Sequence, residues 1–222
     1  MMNSWETEYI DIDEIFEAKY IQPQKMDKLW EKGWRHLGPV FRRYSIRDWS
    51  DKIQLVIPLR INLKNFKTSK NHKRIIRQNV DLDLKIKTTI LDNERDSLFQ
   101  LYKTRFTQYI PESLATFLGE HPEKGPCKNL EFGLYKKSHL IAASYLDVGK
   151  KAAYSQCAMF HPEESKRSLG TYTMLKEIEY AINHQMDFYY MGYVYNNPSE
   201  LDYKKNFRGV QGYDWKNGWY DI

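Results

Sequence analysis

The chain of 222 residues carries 34 Lys and Arg against 29 Asp and Glu, a formal charge of +5, with six His and two Cys. Its 41% hydrophobic and 15% aromatic content is enough to build a core, which excludes wholesale disorder; two cysteines exclude a disulfide framework and a four-cysteine zinc site. No apolar run approaches the roughly 18 residues of a membrane span, and the first residues lack the basic start and apolar stretch of a secretory signal, so a cytoplasmic protein without a membrane partner is expected.

Glu6 to Glu17 carries six carboxylates and no Lys or Arg. Ile12, Ile15 and Phe16, at helical spacing, predict a short amphipathic helix there. Pro23 opens a second helix, Gln24–Lys32, which Gly33 ends. Ile53–Ile61 alternates as a strand, with Pro58 marking an edge or a bulge. Thr68 or Ser69 caps a strongly basic helix running to about Asn79. Leu82–Ile90 alternates as a further strand. Asp92 or Asn93 caps a helix to about Phe106, and Pro111 opens another to Leu118. A loop over residues 119–129 divides the chain into two halves, 1–118 and 130–222.

The second half has the plainer pattern. Leu130–Tyr135, Leu140–Val148 and Ala152–Phe160 read as successive antiparallel strands. A helix from Leu169 to about His184 follows, with Leu169, Tyr172, Leu175, Ile178 and Ile182 on its apolar stripe. Phe188–Tyr193 is an aromatic strand, Asn197–Phe207 a helix, and the Gly- and Trp-rich tail is irregular. The order is mixed α/β (an α+β mixed sheet), without a regular βαβ repeat.

Three segments concentrate chemistry. Residues 67–77 contain Lys67, Lys70, Lys73, Arg74 and Arg77, with no carboxylate. Helical spacing puts Lys70, Lys73, Arg74 and Arg77 near one another, where they can neutralise phosphates or simply face solvent. Ser168 and Gly170 stand at the start of the 169–184 helix, after Lys166 and Arg167, where a helix end favours a phosphate or carboxylate. In residues 189–209, Tyr189, Tyr190, Tyr193, Tyr195, Tyr203 and Phe207 interleave with Lys204, Lys205 and Arg208, a mixture suited to stacked bases or to core packing. Serine-hydrolase, zinc-peptidase and paired-cysteine motifs are missing. His36, His72, His121, His139, His161 and His184 show no ligand spacing, and Cys127 and Cys157 read as ordinary residues, so no metal is expected.

Several stretches, in order, resemble the aminoacyl-tRNA–protein transferases, the arginyl- and leucyltransferases. They are Gly33-Trp34-Arg35-His36-Leu37-Gly38 with Phe41-Arg42-Arg43; Pro58-Leu59-Arg60, Phe66 to Ser69, and Lys73 to Leu82; Phe160-His161-Pro162 with Ser168-Leu169-Gly170-Thr171-Tyr172; Tyr190-Met191-Gly192-Tyr193; and Asp202-Tyr203-Lys204 with Phe207-Arg208. Together they cover about residues 24–210. The resemblance implies an acetyltransferase-like (GNAT) fold in its doubled form. It implies transfer of an arginyl or leucyl group from charged tRNA to the N-terminal amine of an acceptor protein, marking it for N-end-rule degradation. Aminoacyl-tRNA is then the donor substrate, no cofactor is needed, and a monomer is favoured. The family's paired cysteines, which follow the aromatic-Arg segment, have no counterpart in Tyr44–Val56, so an iron–sulfur or zinc site is not expected. The Asp that precedes the family's proline is replaced by His161.

The reaction needs an ester and an amine held at attack distance, a proton acceptor, and stabilisation of a tetrahedral oxyanion. His161, Asp202 and Tyr193 are the catalytic candidates. Arg35, Arg42 and Arg43 are candidates for reading an acidic acceptor by forked hydrogen bonds. Tyr145, Ser168, Leu169, Gly170, Gly192 and Tyr203 complete the substrate-binding set, and Lys70, Lys73, Arg74, Arg77, Lys204 and Arg208 the tRNA-binding set. Two rival functions share these residues: an acyl-CoA-dependent acyltransferase, which would seat a pyrophosphate at Ser168–Tyr172, and a non-catalytic tRNA- or peptide-binding module.

Overall fold

The structure, a computed structural model, describes residues 11–49, 52–107 and 110–222. A small antiparallel sheet lies near the N-terminus, formed by β1 (Asp13–Glu17), β2 (Arg35–Leu37) and β3 (Val40–Tyr44) in the order β1-β3-β2. The helix expected around Ile12–Phe16 is therefore strand β1, and its expected start, Glu6–Ile10, lies outside the described residues. The cause is cross-strand charge. Asp13 and Glu14 receive forked hydrogen bonds from Arg42 and Arg43 of β3, and only Phe16 turns inward, stacking on Phe41 at 4.8 Å. Ile15 stays 65% exposed, so the apolar trio never was a helical stripe. Helix α1 (Pro23–Glu31) follows β1 as expected and buries Met26 and Trp30.

The main sheet has nine strands. They are β4 (Ile46–Trp49), β5 (Lys52–Asn62), β6 (Asp83–Thr88), β7 (Lys128–Lys136), β8 (His139–Val148), β9 (Ala152–Phe160), β10 (Phe188–Tyr195), β11 (Val210–Asp214) and β12 (Gly218–Asp221). Their order is β12-β11-β5-β10-β9-β8-β7-β6, with β4 on β5. Strands from both halves of the chain thus share one sheet, and β5 lies between β10 and β11. The tail expected to be irregular forms the hairpin β11–β12, since Val210 and Gly212 alternate inward and Trp219 anchors it by donating to the Glu31 carbonyl. The helix expected over Asn197–Phe207 shrinks to a 3₁₀ turn at Asp202–Asn206, where the Asp202 carboxylate accepts from the Ser199 N–H and competes with helical pairing.

One face of the sheet is covered by α2 (Lys70–Gln78) and α5 (Leu169–Asn183), over Leu59, Ile61, Phe132, Leu134, Leu146 and Tyr189. Ser69 caps α2 from the side-chain oxygen. The stripe of α5 runs Leu169, Tyr172, Leu175, Ile178, Ala181; Ile182 turns out and is 44% exposed. The other face carries α1 with the small sheet, and beside them α3 (Asn93–Lys103) and α4. The helix expected from Pro111 is only α4, Ala115–Leu118.

Between the two apolar clusters of that second face runs a buried polar seam. Arg95 (3% exposed) makes a forked pair with Glu131 (0%), both contacts at 2.8 Å. His36 Nε2 meets Asp147 at 2.8 Å, and Asn129 donates to the other Asp147 oxygen at 2.7 Å. Breaking a buried pair by removing one partner strands the other charge. Arg95→Met should therefore lower unfolding free energy by about 3–5 kcal/mol, read as the urea midpoint. The double variant Arg95→Met/Glu131→Leu should recover most of that loss.

Candidate active site

Strands β9 and β10 run parallel, but they pair only where Phe188–Tyr190 meets Ala152–Tyr154. Beyond Tyr190 they part. The register of β10 on β5 shifts between Tyr190 and Tyr193, opposite Pro58, so the irregularity expected at Pro58 falls on its partner strand. Gly192, at φ +81°, makes the change of direction without strain. A side chain there would stand 3.3 Å from Lys204 Nζ. Crevices of this kind, beyond the point where neighbouring strands separate, are where α/β sheets bind ligands.

The crevice opens a cleft lined by Cys157–Phe160 of β9, Tyr193 of β10, Tyr102 in the last turn of α3, Arg105 just beyond that helix, Phe117 of α4, and Tyr203. The start of α5, Ser168–Thr171, closes one end. Ser168 sits at φ +55° and its side chain makes no cap, so the first-turn N–H groups of α5 lack a side-chain acceptor. Arg105 lies 4.6 Å over the Phe160 ring. The walls are otherwise apolar or aromatic, with Glu200 as the carboxylate among the lining residues.

A second cleft, on the small-sheet side, is lined by Arg35, Arg42, Arg47, Tyr44, Phe117 and Tyr193, among others. Tyr193 and Phe117 belong to both clefts. Arg35 is sandwiched, its guanidinium 4.2 Å from the Tyr44 ring and 4.3 Å from the Tyr193 ring. Arg47 donates to the hydroxyls of both Tyr193 and Tyr195, each at 3.2 Å. Burial alone would push the Tyr193 phenol up; Arg35, the Tyr195 hydroxyl and Arg47 outweigh it and hold it near 8. Burial and the neighbouring Tyr193 push Tyr195 up to about 12. Half-buried Lys204 is lowered to about 8 by desolvation, beside Tyr193 and Arg35.

The sequence candidates distribute as follows. Tyr193, Arg35, Ser168, Leu169, Gly170 and Tyr203 line the two clefts, and Gly192 and Lys204 stand at their junction. Arg42 and Arg43 are engaged by Asp13 and Glu14, Arg42 at the rim of the second cleft. Tyr145 is fully buried in the α3–α4 cluster. His161 follows β9 and caps the 3₁₀ turn Pro162–Arg167, accepting at Nδ1 from the Glu163 N–H, outside the lining of both clefts. Asp202 pairs with Lys205 at 2.8 Å and fixes the turn that carries Tyr203 and Lys204. Lys70, Lys73, Arg74 and Arg77 are exposed on α2. The end of α2 is tied to the approach of α5: Gln78 donates to the Lys166 carbonyl and Asn79 to that of Arg167. Arg208 is exposed. Arg47, Tyr44, Tyr102, Arg105 and Phe117 were not among the candidates. Arg47 lies on the four-residue strand β4, too short for its alternation to register.

His36, Cys127 and Asp147 are all buried, with ligating atoms within 4.8 Å of one another. Two ligands on a tetrahedral zinc stand about 3.3 Å apart, from bonds of about 2.0–2.1 Å. His36 Nε2 and Asp147 Oδ2 are closer, at 2.8 Å, a hydrogen-bond separation. The other His36 nitrogen contacts the Gly38 carbonyl at 2.8 Å. Burial and Asp147 push the Cys127 thiol well up, toward its protonated form. These donors have the geometry of a closed hydrogen-bond network.

The sequence profile described as arginine-tRNA-protein transferase, C terminus, matches residues 94–214, more than half of the chain. An aspartate/glutamate leucyltransferase of Saccharophagus degradans is 30% identical over 187 residues, spanning 82% of this chain and 76% of its own. That of Campylobacter jejuni is 24% identical over 200 residues, spanning 86% and 82%. Among solved structures, FemX superposes with a TM-score of 0.51 at 11% identity, over 85% of this chain and 65% of FemX, a likeness of mixed α/β fold. The profile and these relatives establish that the chain belongs to the aminoacyl-tRNA–protein transferases, enzymes that move an aminoacyl group from tRNA to a protein N-terminus.

Proposed function

We propose that this enzyme transfers leucine from charged tRNA to proteins that begin with Asp or Glu, with Tyr193 as proton acceptor. The observation that carries the reading is the junction of two unlike clefts at one residue. The α5 cleft, aromatic and apolar, suits an aliphatic aminoacyl group and a terminal nucleoside, with the helix start and Arg105 toward the nucleotide. The second cleft offers Arg35, which has no carboxylate partner among the described residues and is held flat between two rings, a fixed fork for an acceptor carboxylate. An arginyl donor would bring a second cation beside Arg105, with Glu200 as the acid in reach.

The chemistry then follows. The acceptor's α-amine attacks the ester carbonyl, its proton passes to the Tyr193 phenolate, and a tetrahedral oxyanion forms. Lys204, beside Gly192, offsets that charge. Collapse breaks the ester C–O bond, and the ribose oxygen leaves with the proton returned from the Tyr193 phenol as the peptide bond forms. We assign the proton to Tyr193 over His161 and Asp202 because Asp202 is engaged by Lys205 and His161 lies outside both clefts. No cofactor enters these steps, and one chain supplies both clefts, which favours a monomer. No helix among the described residues is long and apolar enough to cross a membrane, and we place the enzyme in the cytoplasm with its charged tRNA. Within the mixed α/β fold, β7–β10 with α5 form the acetyltransferase-like unit of this reading.

A panel of charged tRNAs and acceptor peptides tests the assignment: leucine should move to peptides beginning with Asp or Glu. Absence of transfer from every charged tRNA, with thermal stabilisation by an acyl-CoA, overturns it in favour of a CoA-dependent acyltransferase. Two residue tests follow. Tyr193 must be deprotonated to act, as must the acceptor amine, which titrates near 7.7–8.0. Below about pH 7, log kcat/KM should therefore rise with a slope near 2, falling to about 1 in Tyr193→Phe. Arg35→Gln should raise KM for an Asp-initiated peptide about tenfold or more, the loss of a charged hydrogen bond of about 1.5–3 kcal/mol. It should leave KM for leucyl-tRNA within about twofold and move the pH limb upward, since one of the cations lowering Tyr193 is gone.

A further inference from the structure

Helix α1 has two faces of opposite character. Its inner face buries Met26 and Trp30, and Trp30 lines the small pocket that also holds Arg35, Tyr44 and Tyr193. Its outer face forms one wall of a shallow groove with Lys25, Lys28, Leu29 and Lys32. At about 100° per residue these four share a side, whereas Asp27 and Glu31 project elsewhere. Asp27 is occupied, accepting from the N–H groups of Lys150, Lys151 and Ala152. Among the described residues the groove's lining contains no carboxylate, and the three ammonium groups have no ion-pair partner. Phe16 and Ile21 contribute apolar surface, and Tyr20 stands beside them 68% exposed.

Uncompensated cations in a row, next to an exposed ring, are what single-stranded nucleic acid requires: cations for phosphates and a face on which a base stacks. An acidic protein segment would use the charge and leave the ring unexplained. From Lys25 to Lys32 the helix rises about 10 Å, and the helix itself is about 10–12 Å across. The groove therefore lies roughly one helix thickness from the Tyr193 pocket and extends over about two nucleotides. We infer that the outer groove of α1, built by Lys25, Lys28, Lys32 and Tyr20, carries the single-stranded 3′ end of the donor tRNA as it leads away from the active site. This rests on the proposed aminoacyl-tRNA donor, and adds a tRNA contact on the opposite sheet face from α2.

The test compares two donors in the full-length enzyme. Lys25→Glu/Lys28→Glu/Lys32→Glu should raise KM for leucyl-tRNA about tenfold or more. It should flatten the salt dependence of tRNA binding by about 2 log units per log unit of salt, from about 0.7 per phosphate contact on a single strand. Turnover of the short donor 3′-leucyl-adenosine, which cannot reach the groove, should stay unchanged. The triple Arg replacement should retain tRNA binding, and Tyr20→Ala should weaken it without changing the salt slope. Unchanged KM and salt slope for leucyl-tRNA overturn the inference, as does a rise confined to the acceptor's KM. Equal loss with both donors, accompanied by a lowered melting temperature, also counts against it, because the lysines would then be structural. If the wild-type enzyme transfers nothing from any tRNA, the functional reading fails by itself. Binding of uncharged tRNA to wild type and variant still decides the groove: equal affinity and salt slope overturn it.

Discussion

The contact on which the rest of the site depends is the buried pair between His36 and Asp147. His36 belongs to the small sheet and Asp147 to the main one, and their side chains are 4% and 1% exposed as whole residues. Burial alone would lower the imidazole's proton affinity; the Asp147 carboxylate and the Gly38 carbonyl reverse this and raise it. The pair is thus a buried clamp in which neither partner could be left alone. Its consequence appears one residue away. Arg35 precedes His36 on β2, and alternation along a strand sends consecutive side chains to opposite sides. With His36 held on Asp147, Arg35 is delivered between Tyr44 and Tyr193. The placement of Arg35 in the second cleft is therefore set by its neighbour His36, which lines the same cleft and is anchored on Asp147.

A second constraint acts from within the main sheet. Because β9 and β10 separate after a short paired stretch, backbone and side chains that would otherwise be packed face an open crevice. The separation has local support on every side. Gly192 permits the turn of β10, β5 keeps pairing with β10 on its other edge through Tyr193–Tyr195, and α5 stays attached through its buried stripe. The cations meet Tyr193 from three separate elements: Arg35 from β2, Arg47 from β4 and Lys204 from the 3₁₀ turn. None of these depends on the same backbone segment, so the phenol's environment is fixed by the tertiary fold.

Much of this architecture was legible in the sequence wherever a pattern was local and long. The meander β7–β9 and the helix α5 follow their hydrophobic periods closely, and the basic helix α2 its cap at Ser69, whereas Ser168 at the start of α5 does not cap. The failures share a cause. β1, β2, β3 and β4 are short strands whose residues are stabilised by partners far away in sequence, such as Arg42 on Asp13 and Arg43 on Glu14, and no window of a few residues carries that information. The hairpin β11–β12 was hidden by its glycines, which weaken the strand signal while leaving room for Trp219 and Tyr220 to pack. The two-cleft arrangement was only half visible. The residue types at Arg35, Gly170, Gly192 and Tyr193 were singled out by motif, but the roles of Arg47, Tyr44 and Phe117 arise from contacts between elements that composition does not encode.

The charge of the chain acquires a geometry from the same constraints. Residues 67–77 hold +5 by themselves, yet α2 lies on the sheet face of α5, while Lys25, Lys28 and Lys32 lie on α1 across the sheet. Of the N-terminal acids, Asp13 and Glu14 are engaged by Arg42 and Arg43 within the small sheet. Pairing those four charges leaves Arg35 as a cation of the small sheet with no carboxylate partner among the described residues, in a cleft that Arg47, Asp48 and Glu112 also line. In the proposed reading this is the basis of selectivity for an acidic acceptor: an unpaired fork attracts a carboxylate more than arginines already engaged by acids. On that proposal, Asp13 and Glu14 contribute to recognition indirectly, by occupying Arg42 and Arg43.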